Sequence, residues 1–168
     1  MSVFDTVRTV LAVREYKAKE VPADVVRRIV EAARLTASSI NGQPWHFIVV
    51  DEREMLKKLG SLARTGPYIA QVGLAVVVAI EDTKYAESDA SRAIQSMILT
   101  AWDEGVGSNW VGFYGLEQVK APLGIPDELQ VIAIIPFGYP TRDLGAGKKK
   151  RKPLSEVVSK GKYGTPFQ

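Results

Sequence analysis

The stretch Leu35-Thr36-Ala37-Ser38-Ser39-Ile40-Asn41-Gly42-Gln43-Pro44-Trp45-His46-Phe47-Ile48-Val49-Val50 decides how the chain is read. Its second half, Trp45 to Val50, is a short apolar run rich in β-branched and aromatic side chains, which predicts a strand. Its first half gathers small hydroxyl and amide residues. Ser and Asn carry donors and acceptors on short arms, Gly42 lets the backbone approach a neighbour closely, and Pro44 sets the backbone where the strand begins. Two readings are open for this half: a surface loop of turn residues, or a loop that hydrogen-bonds a polar planar ligand.

Working outward, Pro22 to Leu35 places Val25, Val26, Ile29, Val30 and Ala33 on one side of a helix opened by Pro22 and Asp24. Leu74 to Ile80, nearly all Val, Ala and Leu, predicts a second strand, and both strands read as buried on two faces. Between them, Glu52 to Leu62 is charged but aligns Met55, Leu56 and Leu59, so a helix is expected to carry the chain from one strand to the other. The strongest periodicity runs from Asp89 to Glu104, where Ala90, Ala93, Ile94, Met97, Ile98, Ala101 and Trp102 recur at helical spacing until Gly105 and Gly107 stop it. Asn109 to Tyr114 and Leu129 to Phe137 are further strand candidates, separated by a short helical piece, Leu116 to Leu123, that ends at Gly124 and Pro126. From Gly138 onward the chain is rich in Gly, Pro and Lys and has little to bury, so it is expected to wrap over another surface.

The whole chain of 168 residues fits one domain with a core large enough to need no metal or disulfide staple. No apolar run approaches the roughly 18 residues of a membrane span. Met1 to Thr9 contains Asp5 and lacks an apolar core leading to a cleavage site, so no signal peptide is expected and a cytoplasmic protein is. The absence of cysteine removes disulfides, thiol nucleophiles and thiolate metal sites, so redox chemistry would have to come from a cofactor. The formal charge of +3 is local: Lys148, Lys149, Lys150, Arg151 and Lys152 supply more positive charge than the whole chain has in excess. The remaining body is slightly acidic, which disfavours a nucleic-acid-binding face and points to one anion site or one solvated tail.

Candidate acid–base chemistry is sparse. His46 is the only histidine, and its place beside Trp45 at a strand start reads as packing more than as a general acid. Asp51, Glu52 and Glu54 read as a solvated helix start. No Ser-His-Asp set, carboxylate pair or metal cluster stands out, so hydrolysis and metal catalysis are not expected, and no side chain is assigned a catalytic role.

Four motifs in order then connect the chain to known proteins. Ser38-x-x-Asn41-x-Gln43-Pro44-Trp45, followed by His46-Phe47-Ile48-Val49-Val50, resembles the signature loop of the nitroreductase family. Val13-Arg14-Glu15-Tyr16 with Val21-Pro22 resembles that family's N-terminal flavin-phosphate motif, and Gly105-Val106-Gly107-Ser108-Asn109-Trp110 its glycine-rich turn beneath the flavin. Phe137-Gly138-Tyr139-Pro140 and the basic run before Pro153-Leu154 match in type and order near the C-terminus.

The resemblance implies an α+β fold with a central mixed sheet flanked by helices, in a homodimer that completes two FMN sites. It implies NADH or NADPH as donor and a small electron acceptor, such as a nitroaromatic or quinone. Arg14, Lys149 and Arg151 fall where the family holds the flavin phosphate, and a guanidinium fork suits phosphate oxygens. Lys148, Lys150 and Lys152 are left to solvent. The backbone around Val111 and Gly112 would face flavin N5, while Ser38, Ser39, Asn41 and Gln43 would contribute to the flavin site, the first three from the partner subunit. The C-terminal stretch from about residue 141 would wrap over the partner or the flavin. Trp110 would either stack near the ring or join the core.

One departure stands out. Where the family has Arg-Arg-Ser or a close variant, this chain has Val10-Leu11-Ala12, so a cation and a hydroxyl are missing, and Arg8 or Arg64 would have to compensate. Two other functions stay open on these residues. One is a non-catalytic flavin or anion binder whose basic tail docks on a polyanion. The other is a relative that uses flavin and oxygen to cleave a ligand.

Overall fold

A computed structural model describes residues 1–112, 115–144 and 149–167. In chain order the regular elements are α1 (Val3–Thr9), α2 (Ala23–Arg34), β1 (Trp45–Val50), α3 (Arg53–Leu62), β2 (Leu74–Glu81), α4 (Ala86–Asp103), β3 (Gly107–Ser108), α5 (Lys120–Leu123), β4 (Leu129–Gly138) and α6 (Leu154–Val157). Short 3-10 turns occupy Ser39–Asn41, Pro67–Gln71 and Leu116–Val119. Among the described residues no helix is long and apolar enough to cross a membrane.

β2 organises the core, because its side chains alternate between two faces and both are covered. Leu74, Val76, Val78 and Ile80 point into a cluster with Ile29 and Ala33 of α2 and Ala93, Ile94 and Met97 of α4. Ala75, Val77 and Ala79 point the other way, into Leu56 and Leu59 of α3, Ile69 and Val72. Every β2 residue from Leu74 to Ile80 is at most 1% exposed, which explains the unbroken apolar run in the sequence. β4 follows the same pattern, sending Ala133, Ile135 and Phe137 to the α2–α4 side and Ile134 to the other. The result is helices on both faces of a four-stranded sheet of order β1-β2-β4-β3.

The structure corrects three expectations. First, all pairings between the four strands are antiparallel, and the parallel component of the expected mixed sheet is reduced to one bridge between Ala12 and Ser108. Although α3 separates β1 from β2, the chain returns to the end of the sheet it left: Val50 pairs with Ala75 and Trp45 with Ile80. Second, β1 is an edge strand, not one buried on two faces. Val49 is 40% exposed, and His46 is exposed, not packed. Third, the strand expected at Asn109 to Tyr114 is instead Gly107–Ser108 plus an isolated bridge from Val111 to Ile134. The Trp110 indole nitrogen lies 2.5 Å from where a Cβ on residue 112 would stand, so there is no room for a side chain at Gly112. Phe113 and Tyr114 lie outside the described residues.

The C-terminal segment leaves the body. From residue 150 to 167 every residue is exposed except half-buried Val158, and a bridge between Ser159 and Pro166 folds the end of the segment on itself. Leu154 and Val157 of α6 are both 61% exposed.

Candidate functional site

The end of α1 shapes the main cleft. Ser2 caps the helix start by accepting from the Asp5 N–H at 3.1 Å, and the helix closes at Val10, whose N–H donates to Thr6 O. Beyond it the chain is extended and lies beside β3: Val13 N–H donates to Ser108 O at 2.9 Å, and Lys17 N–H to Tyr139 O at 2.8 Å. This approach depends on Gly107, because a Cβ there would stand 2.5 Å from Val13 Cγ2 and 3.2 Å from Pro140 Cγ. Gly107→Ala is therefore expected to cost about 1 to 3 kcal/mol, read from the urea midpoint. Val13→Ala in the same chain should return part of that loss, which a double-mutant cycle measures.

Between the α1 end and β3 opens a cleft of about 950 Å³. Its lining includes the cations Arg8, Lys149 and Arg151, with no carboxylate among its described lining residues. Ile98 and Trp110 give it an apolar wall, and Gln95, Ser108 and Asn109 bring amide and hydroxyl groups. A volume in the upper part of the usual ligand-pocket range and a few polar groups over an apolar wall suit a sizeable planar ligand with one anionic end.

The basic run thus divides in two. Lys149 Nζ donates to Val7 O at 2.6 Å and so ties the tail to the last turn of α1. Burial, and then the neighbouring Arg151 charge, hold its ammonium below the ordinary lysine value. A cluster of like charges facing one hollow is poised for an anion. Arg151 joins it in the cleft, while Lys150 and Lys152 are exposed and Lys148 lies outside the described residues.

Arg14 stands apart from this pair. It lines a neighbouring hollow of about 260 Å³ with Glu15, Thr141 and Arg142, whereas Arg8 shares the cleft with Lys149 and Arg151. Arg64 is exposed and does not line the cleft.

Val111 and Gly112 differ in what they can offer. Val111 is 1% exposed, and both of its backbone groups are engaged: its N–H donates to Ile134 O at 3.0 Å and its carbonyl accepts from Ile134 N at 2.8 Å. Val111 therefore has no free donor for a ligand. The Gly112 N–H has no acceptor among the described residues, and its carbonyl accepts from Thr65 Oγ1 at 3.4 Å. Neither residue lines the cleft, but the adjoining Asn109 and Trp110 do.

The signature loop is a built structure. Ile40, Asn41 and Gln43 have φ of 52°, 55° and 49°, a left-handed conformation that non-glycine residues rarely adopt and that neighbouring contacts must hold. Ser38 Oγ accepts from Gln43 N at 2.9 Å, and Gln43 Nε2 donates to Asn41 O at 3.3 Å. Three residues of α4 bind the loop: Ser96, whose Oγ accepts from Thr36 Oγ1 at 2.7 Å, Arg92, whose Nη2 donates to Ser39 Oγ at 3.1 Å, and Asp89. Asp89 Oδ1 accepts from the Ser39 N–H and the Ser39 hydroxyl, each at 3.0 Å, and from Arg92. Ser38, Ser39, Asn41 and Gln43 do not line the cleft of their own chain, and Ile40 at the tip is 91% exposed.

Sequence reasoning gave no site role to Asp89, Arg92, Gln95 or Ile98, the last of which it read only as part of the helical stripe. A signal for Asp89 was present: it stands on the apolar stripe of α4 in register with Ala93, Met97 and Ala101, all four buried. A carboxylate on such a stripe needs partners.

The profile of the nitroreductase family matches residues 8–81 and 70–139. A Methanothermobacter thermautotrophicus protein with the provisional name NADH dehydrogenase/NAD(P)H nitroreductase is 31% identical over 154 residues, covering 86% of this chain and 81% of its own. A solved structure from Bacteroides thetaiotaomicron shares the fold at a TM-score of 0.88 and 24% identity, over 97% of this chain and 99% of that one. An FMN-dependent nitroreductase from Clostridium difficile R20291 superposes with a TM-score of 0.79 at 26% identity, over 98% of this chain and 99% of its own. With a matching profile over most of its length and a relative this similar, the chain belongs to the nitroreductase family.

Proposed function

We propose that this chain is an FMN-dependent NAD(P)H oxidoreductase that passes reducing equivalents to a small acceptor such as a nitroaromatic or a quinone. The cleft carries the reading: three cations with no carboxylate among its described lining residues, together with Ile98 and Trp110, suit a phosphate joined to a planar ring. The names of the relatives, NAD(P)H nitroreductase and FMN-dependent nitroreductase, point the same way. When bound, FMN supplies the hydride-accepting and hydride-donating ring that the side chains of this protein lack.

The chain's own part is binding and orientation. Lys149 and Arg151 hold the phosphate, with Arg14 a further cation from the neighbouring hollow. Val111 pins its segment to β4 through its two bonds to Ile134, and Asn109 and Trp110 of the same segment line the cleft where the ring would lie. No side chain is required as acid or base, and exposed His46 on β1 is left out of the chemistry.

In this reading the active form is a homodimer. Ser38, Ser39, Asn41 and Gln43 are held in a tied loop that does not line its own cleft, which supports their serving the flavin of a second copy. The exposed apolar residues Val3, Phe4 and Leu35, at 78%, 74% and 67%, and the tail beyond residue 150 offer the surface such a copy would cover.

The test is to incubate the purified protein with FMN, remove free flavin, and follow bound flavin, sedimentation and NADH or NADPH oxidation with a quinone. A yellow dimer that releases FMN on denaturation and oxidises the nicotinamide is expected, with flavin lost as dilution separates the subunits. A chain that gains no flavin absorbance overturns the reading. One that holds flavin without turnover replaces it with the non-catalytic binder.

A further inference from the structure

We propose that Arg8 supplies the phosphate-binding guanidinium that Val10-Leu11-Ala12 cannot, so that the anion end of the cleft is built from the last turn of α1 and the C-terminal tail. The inference rests on the FMN reading and names a residue for it. Val10, Leu11 and Ala12 all line the cleft, and none of their side chains can donate a hydrogen bond. The cation deficit at this end is therefore real, and of the two compensating residues only Arg8 lines the same cleft as Lys149 and Arg151.

Their proximity is fixed by the backbone. Lys149 Nζ is bonded to the carbonyl of Val7, the residue immediately before Arg8, at 2.6 Å. This contact brings the tail to the end of α1, where Arg8 and Lys149, from remote parts of the sequence, line the same cleft.

Arg8 is also free to turn toward an anion. Its ion partner is Asp5, one helical turn back, at 3.3 Å through a single guanidinium nitrogen, with the two side chains 52% and 45% exposed. An exposed single-contact pair is a weak competitor for a phosphate dianion, and the remaining guanidinium donors are available for bidentate binding. Arg14 belongs to the adjacent hollow, where Glu15 already supplies a negative charge. In this chain, then, the principal guanidinium on the α1 side has moved from the extended segment back onto the helix.

The experiment titrates wild type, Arg8→Ala, Arg8→Lys and Arg64→Ala with FMN and with riboflavin, which lacks the phosphate, and follows flavin fluorescence. Arg8→Ala is expected to weaken FMN binding about 10- to 100-fold, the loss of a charged hydrogen bond, and to leave riboflavin binding unchanged. Arg8→Lys should recover part of the FMN affinity, and Arg64→Ala should match wild type. FMN affinity unaltered in Arg8→Ala, or an equal loss for riboflavin, overturns the inference while the flavin reading stands. A wild-type protein that binds neither flavin overturns both.

Discussion

Replacing Phe137 by alanine is expected to lower the stability of the fold by about 3 to 5 kcal/mol. The side chain is fully buried on the α2–α4 side of the sheet, and its backbone is paired on both edges, with Leu74 of β2 and with Ser108 of β3. Truncation removes most of a large ring from a packed core and leaves a cavity that strands held on two sides cannot close easily. Urea unfolding checks it, with the midpoint falling while the m-value stays near wild type. Phe137→Leu, which retains most of the volume, should cost far less. The effect should reach the cleft as well, because Ser108 lines it and also accepts the Val13 N–H that holds the extended segment in place. A loss below about 1 kcal/mol would mean that the surrounding core relaxes into the space.

Asp89→Ala is expected to cost about 2 to 4 kcal/mol and to loosen the Ser38 to Gln43 loop. The Asp89 side chain is 2% exposed and accepts from both Ser39 donors and from Arg92, whose own side chain is 44% exposed. Without the carboxylate, Arg92 can turn to solvent, but the Ser39 N–H is part-buried and loses its acceptor. The loop also holds three non-glycine residues at positive φ, a conformation that local contacts must stabilise. Ser39→Ala removes only the hydroxyl and should cost about 1 kcal/mol. Urea unfolding separates the two variants, and amide exchange at Ser39 to Gln43 should accelerate in Asp89→Ala well beyond the global loss. Protection that falls only as far as global stability falls would show that the loop holds its shape without this tie.

How much of the molecule was legible follows from which interactions are local. β1 at Trp45–Val50 could be read to the residue, and α2, α3, α4, β2 and β4 to within a few residues, because periodicity and turn residues are properties of a short window. The unbroken Val-Ala-Leu run of β2 declared a strand covered on both faces, and the structure places helices there. The four ordered motifs were enough to identify the family, since each records a backbone conformation or a donor set that recurs at fixed spacing. Tertiary structure decided the rest. His46 and Val49 proved exposed because β1 lies at an edge, and strand order is set by which surfaces meet, not by the composition of the strand itself. The pairings turned out antiparallel because the chain returns beside Val50 after α3, a choice that no local pattern encodes. The division of the basic run depended on one contact between Lys149 and the carbonyl of Val7, across almost the whole length of the chain. Local pattern was enough for α2, α3, α4, β1, β2 and β4, for the two-sided burial of β2 and for the residue types able to hold a phosphate, but not for α1, β3 or α6. Only the tertiary structure decided that Arg8 shares the cleft with Lys149 and Arg151 while Arg14 lines the next hollow, because a charge acts through distance and direction and neither is written in the order of residues.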